Sequence, residues 1–170
     1  FISEGDKFED NNKAKFHAFA HKLVFGSMLS FPVNMLEFAF IESSKVDFSA
    51  FSAVQKTFGI FKDRFKVEMN QYMYCDVAAQ RDTTLTVLTD IAELCNERQT
   101  IIFGCRDKNG MQCETIEDYN EANPKNPLRY VVLFIHGYLD LCQQGESFEL
   151  LKRIIKKGGE SGVYTIVLGK

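Results

Sequence analysis

Two kinds of hydrophobic patterning alternate along this chain. Met35–Ile41, Tyr130–Ile135 and Val163–Leu168 are short, nearly unbroken apolar runs, which predict strands buried on both faces of a parallel sheet. Between them apolar residues recur at helical spacing. Lys13–Leu29 places Phe16, Phe19, Ala20, Leu23, Val24 and Leu29 near one stripe. Thr83–Phe103 puts Leu85, Leu88, Ala92 and Cys95 on one face, flanked by Ile91 and Leu94. Asp90, Glu93, Glu97 and Arg98 are then expected to face water. Ser147–Lys157 is expected to bury Phe148, Leu151, Ile154 and Ile155.

The punctuation agrees with this division. Phe31-Pro32-Val33-Asn34 breaks the first helix, Asn109-Gly110 marks a turn within Arg106–Gln112, and Gly158-Gly159 stops the last helix. Thr115 followed by Asp118 resembles a capping box and predicts a short helix to Ala122. Asn123–Pro127 links it to the next strand. Weaker patterns predict a strand at Phe1–Gly5, a polar loop at Asp6–Asn12, a helix at Ser49–Gln55 and an extended Phe65–Cys75 ended by Asp76. The order β-α-β-α-β-α-α-β-α-β predicts an α/β fold. It is a three-layer α-β-α arrangement with a mostly parallel sheet, formed as a single domain over residues 1–170.

Composition narrows the function classes modestly. With 45% hydrophobic and 25% charged residues, a net charge of −3 and a pI near 5.7, the chain has no basic field suited to nucleic acid. Sixteen Phe and no Trp read as core packing. Five cysteines, Cys75, Cys95, Cys105, Cys113 and Cys142, contain no Cys-x-x-Cys pair. They fit reduced, buried thiols and a cytoplasmic location better than a disulfide framework. No apolar run approaches the length of a membrane span, so direct membrane contact is not expected. An opening Phe1 suggests a piece of a longer protein, with a cytosolic part of a membrane-anchored parent as one context.

In an open parallel sheet, chemistry gathers at the C-terminal ends of the strands. The Tyr130–Ile135 strand ends in His136-Gly137, where a nucleotide hydrolase would place two carboxylates, one for Mg²⁺ and one for water. Three blocks in order carry a resemblance: Leu36–Phe51, the helix ending Cys95-Asn-Glu-Arg98 followed by Thr115–Asn120, and Tyr130–Leu141 continued by Leu150–Lys170. Together they resemble the FtsK/SpoIIIE family of P-loop motor ATPases, which includes DNA translocases and type VII secretion ATPases. The resemblance implies a P-loop NTPase fold of the RecA/FtsK type, with the family's later strands lying beyond the residue matching Lys170. It also implies ATP and Mg²⁺ as the family's ligands, and a place for the first strand beside the Tyr130–Ile135 strand.

The departures from that family are concentrated where phosphate would be gripped. A P-loop needs Gly-x-x-x-x-Gly-Lys-Ser/Thr. The matching Gly5–Phe16 stretch sets Asp10-Asn11-Asn12 at the Gly-Lys-Ser/Thr positions if Gly5 is the first glycine; otherwise Lys13-Ala14 or Lys15-Phe16 falls on Lys-Ser/Thr. Every register lacks the second glycine and the hydroxyl. Glu9 and Asp10 would also repel a triphosphate by about 1 kcal/mol each in a partly shielded site. Gly5, Asn11, Asn12, Lys13, Ala14 and Lys15 are thus the degenerate nucleotide-binding candidates, and His136 and Gly137 the Walker B equivalents. No catalytic residue, cofactor or metal is expected. The reading is a pseudo-ATPase module that docks on sibling ATPase domains or homo-oligomer subunits and meets protein cargo or DNA.

Rival readings rest on single features. The alternatives are a translocase domain that binds nucleotide weakly, and an α/β-hydrolase using His136-Gly137 as an oxyanion segment. The second lacks a Gly-x-Ser-x-Gly elbow, since neither Gly26-Ser27 nor Glu160-Ser161-Gly162 fits. His17 and His21 stand one helical turn apart but have no third metal ligand. Lys152, Arg153, Lys156 and Lys157 could touch DNA or a protein, although cations near a helix C-terminus need no partner. Glu42 and Asp47 read equally as a remnant of a nucleotide site or as a solvated acidic turn.

Overall fold

The computed structural model describes residues 18–19, 22–28, 30–42, 73–74, 78 and 80–168. Three strands, β1 (Leu36–Glu42), β2 (Tyr130–His136) and β3 (Val163–Leu168), form a parallel sheet in the order β1-β2-β3. Leu36 pairs with Tyr130 and Glu42 with His136, while Val131 pairs with Val163 and His136 with Leu168. Beyond β1, Met73 and Ala78 make parallel bridges to Phe38 and Ile41. The predicted Phe65–Cys75 segment thus reaches the sheet at Met73; residues 65–72 lie outside the described residues. β2 has a partner along both edges. That corrects the expectation of a neighbouring first strand, because no position beside β2 is open to one. Residues 1–5 themselves, and the helix expected at residues 49–55, lie outside the described residues.

Helices cover both faces, so the α/β class and the layered, mostly parallel arrangement hold. On one face α2 (Arg81–Phe103), α4 (Tyr138–Cys142) and α5 (Gly145–Lys157) bury Val87, Leu88, Ile91, Cys95, Leu141, Leu151 and Ile154 against Ala39, Ile41, Leu133, Ile135 and Val163. On the other, the helical stretch α1 (residues 22–28) sets Val24 and its neighbours against Leu36, Phe38, Phe40, Val132 and Phe134. The Phe40 and Phe134 rings stack at 5.2 Å. Each such side chain contributes about 1.5–3 kcal/mol on burial, more than the roughly 1 kcal/mol of a helix cap. The apolar runs therefore decide where the elements sit.

Local chemistry sets the boundaries. Pro32 precedes a 3-10 turn, Val33–Met35, so β1 starts at Leu36 rather than Met35. Gln80 caps α2 through a reciprocal box with Thr83, moving its start ahead of the predicted Thr83. α3 (Ile116–Ala122) has the expected box: the Thr115 hydroxyl accepts from the Asp118 amide, and Asp118 Oδ2 accepts from Thr115 N–H at 3.0 Å. Three burial expectations fail. β3 is not buried on both faces: Tyr164 is 43% and Val167 41% exposed. Ile155 is 55% exposed because it falls on the outer side of α5. Arg98 is buried, not solvated: its Nη1 donates to the Ser161 carbonyl at 3.0 Å.

That contact belongs to a clasp at the N-terminal end of the sheet. The 158–162 turn receives Ile116 N–H at the Glu160 carbonyl and Val131 N–H at the Gly162 carbonyl. The Ser161 hydroxyl lies 3.1 Å from the carbonyls of Cys95 and Lys157. Gly162 has φ +71°, and a Cβ there would sit 2.3 Å from Ile116 Cδ1. Both the backbone angle and the space require glycine at this point. The turn thus ties α2, α3, β2 and α5 together at the end opposite the strand C-termini.

Candidate functional site

β1 and β2 end in register, so Glu42 and His136 arrive side by side at the C-terminal edge of the sheet. One carboxylate oxygen of Glu42 forms a short contact with His136 Nδ1, and the side chains are only 12% and 18% exposed. Glu42 is therefore part of the strand and part of the site, not a solvated turn. Sequence reasoning missed the pair because the partners are 94 positions apart. The signal available was weak: each residue is the first polar group after its apolar run.

Gly137 follows with φ 78° and ψ 42°, a left-handed conformation that L side chains occupy at a cost of about 1–2 kcal/mol. It caps α4, a short helix that the sequence pattern did not predict, and its carbonyl accepts from Asp140 and Leu141 N–H. A glutamate at this position would therefore be strained as well as absent. Tyr138 packs edge-on to Phe148 of α5 at 6.3 Å, which fixes α4 to the following helix.

The other predicted site residues divide into two groups. Gly5, Asn11, Asn12, Lys13, Ala14, Lys15, His17, His21, Asp47 and Cys75 lie outside the described residues. The α5 cations are described, and two of the four, Lys152 and Lys157, have side-chain partners. Lys152 pairs with Glu149 and sits 4.7 Å over the Phe148 ring, while Lys157 donates to Asn96 Oδ1 at 2.8 Å. Arg153 and Lys157 line a groove of about 230 Å³ between α2 and α5, with Ala92, Cys95 and Leu150 among its walls. The groove shares no residue with the strand ends. Among the described residues no cluster of three His, Cys, Asp or Glu could hold a metal. Ser161 is fully buried in the clasp, so it cannot serve as a hydrolase nucleophile.

Mg²⁺ takes hard oxygen donors in near-octahedral geometry. At the end of β2 the structure offers an imidazole, a residue without a side chain, and a carboxylate already engaged by that imidazole. These groups do not fit a Mg²⁺–nucleotide, and no hydrolytic step can be derived through them. What the arrangement does do is close the strand ends: the Glu42–His136 pair satisfies two half-buried polar groups and joins β1 to β2. Among the described residues, no helix is long and apolar enough to cross a membrane.

No protein-family profile and no curated protein match this chain. Solved structures do. EssC (ATPases 2 and 3) from Geobacillus thermodenitrificans superposes with a TM-score of 0.62 at 12% identity, over 89% of this chain and 25% of that one. The pCW3 conjugation coupling protein TcpA gives a TM-score of 0.47 at 10% identity, over 81% of this chain and 43% of that one. The chain spans a quarter of the EssC chain. At such identity the likeness shows the fold alone, a layered α/β arrangement shared with that EssC structure.

Proposed function

We propose that this P-loop ATPase fold works without ATP turnover, as an assembly or cargo-interaction module of a multi-domain secretion or DNA-translocation motor of the FtsK/SpoIIIE type. One observation carries the reading: His136 and Gly137 stand at the strand end where carboxylates would act, and His136 is committed to Glu42. An imidazole held at Nδ1 by a carboxylate joins the two strands and offers no oxygen ligand to Mg²⁺. The EssC structure holds two ATPase domains in one chain and this chain spans a quarter of it, which supports docking on sibling domains or on further copies of itself. The family resemblance at Leu36–Phe51 and Thr115–Asn120 supports the motor context, with protein cargo or DNA as what the assembly moves.

Calorimetry with ATP and Mg²⁺, paired with a phosphate-release assay, tests this. Neither binding nor turnover is expected. A nucleotide held at about 100 times its dissociation constant would stabilise the fold by about 2.7 kcal/mol. A saturable thermal shift of that size would replace the proposal with a nucleotide-binding domain, and phosphate release would replace it with an active ATPase.

A further inference from the structure

The segment joining α2 to α3 folds back tightly on itself. Arg106 and Gln112 form an antiparallel bridge, Asp107 N–H donates to the Met111 carbonyl at 2.8 Å, and Asp107 Oδ1 accepts from the Asn109 and Met111 amides. Cys105 and Cys113 occupy the next facing positions, with Cys113 N–H donating to the Cys105 carbonyl at 3.1 Å. Facing residues of an antiparallel pair hold their Cα atoms about 4.5–5.5 Å apart. Disulfides span about 4.4–6.8 Å between Cα atoms. The backbone therefore already has the spacing that a bridge needs.

The side chains converge as well. Cys113 is buried with Ile102 and Ile116, and Cys105 packs half-buried against the same cluster. Cys105 and Cys113 share this small cluster at the neck of the loop. Asn123 Nδ2 donates to Cys105 Sγ at 3.2 Å, an N–H able to stabilise charge developing on that sulphur. Burial, then the Cys105 contact, pushes the Cys113 thiol up to about 11, so it stays protonated at neutral pH.

We infer that Cys105 and Cys113 form a reversible disulfide when a disulfide oxidant such as glutathione disulfide is present, making this loop a redox modification site. Cys105, the accessible thiol, attacks one sulphur of glutathione disulfide, forming a mixed disulfide and releasing one glutathione thiolate. Cys113 then gives up its proton and attacks the Cys105 sulphur, expelling the second glutathione thiolate. The protein loses two hydrogens and two electrons, and the oxidant becomes two glutathione molecules. The product pins the end of α2 to the start of α3 around the 106–112 loop.

Treating the full chain with glutathione disulfide, then digesting it without reductant for mass spectrometry, tests the inference. The expected result is one cross-linked peptide pair, Cys105 to Cys113, that dithiothreitol releases. Cys113→Ala should instead leave a stable glutathione adduct on Cys105, and Cys105→Ser should remove the reaction altogether. Limited trypsin cleavage at Lys108 gives a second readout: the oxidised chain should migrate as one piece until reduced. A lasting glutathione adduct on Cys105 in the unaltered protein, no reaction, or a cross-link to another cysteine would each overturn the assignment.

Discussion

Glu42 and His136 face each other across neighbouring parallel strands, a carboxylate oxygen against Nδ1 at the edge of the sheet. Each is mostly buried, and the contact joins the two strand ends. His136→Ala is expected to leave a half-buried carboxylate without its imidazole and to lower stability by roughly 1–3 kcal/mol. Urea denaturation reads this directly, and a double-mutant cycle with Glu42→Gln isolates the pair. A coupling energy of zero would show that the contact is incidental.

Placing acids at the strand end should not create ATPase chemistry. The double variant His136→Asp, Gly137→Glu is expected to release no phosphate from ATP. The Gly5–Lys15 stretch lacks the second glycine and hydroxyl in every register, and residue 137 sits in a left-handed conformation. Phosphate release above background from this variant would mean that the N-terminal loop can grip nucleotide after all.

Arg98 gives a sharper contrast. Burial pulls its guanidinium below the usual value, while Glu37 opposes that shift most strongly among the neighbouring charges. The charge is therefore held in place at a cost, offset by the bond to the Ser161 carbonyl. Arg98→Ala, which also leaves a void, is expected to lose about 2–3 kcal/mol, and Arg98→Met, which keeps the volume and removes the charge, distinctly less. Equal losses in chemical denaturation would place the whole effect in the hydrogen bond.

Gly162→Ala should be costly without touching the strand ends. The left-handed backbone and the approach of Ile116 Cδ1 together predict a loss of about 2 kcal/mol or more. The amides of Ile116 and Val131, both bonded to this turn, are the ones whose hydrogen exchange should accelerate first. Unchanged exchange there would disprove the clasp's role.

Two carboxylates should shape the acid limb of the stability curve. Asp107 is held below its ordinary value chiefly by the Met111 amide, and Asp118 by the Glu114 and Thr115 amides. A depressed folded-state value means the stabilisation is complete above the unfolded value of about 3.9 and fades as pH falls through the lower folded one. Asp107→Asn and Asp118→Asn are each expected to flatten the fall in melting temperature below about pH 4. An unaltered acid limb in both variants would refute the linkage.

Short-range chemistry was legible in the sequence and long-range chemistry was not. The Thr115–Asp118 box, the Val163–Leu168 strand and the Tyr130 strand follow from spacing that a few residues define. Arg98 was misread because helical periodicity assigns charged residues to water, and nothing local announces the accepting carbonyl of Ser161, 63 positions on. Ile155 was misread because α5 buries a narrower stripe than its apolar residues would fill. His136-Gly137 could be seen as a departure, but its union with Glu42 required the register of two strands. The phosphate-loop residues fall outside the described region, so that half of the site rests on sequence alone.

The register of β1 against β2 also bears on how the chain reaches this state. Every rung of that ladder joins residues 94 positions apart, and the intervening segment includes α2 and α3. Such closure loses chain entropy well before the aromatic stack of Phe40 and Phe134 can return any stabilisation. α2 and the adjoining reversed loop can form early from local contacts, whereas zipping the central ladder is the slow event. Until it completes, an apolar strand remains open to the wrong neighbour, and a partner domain that shields it would speed correct assembly.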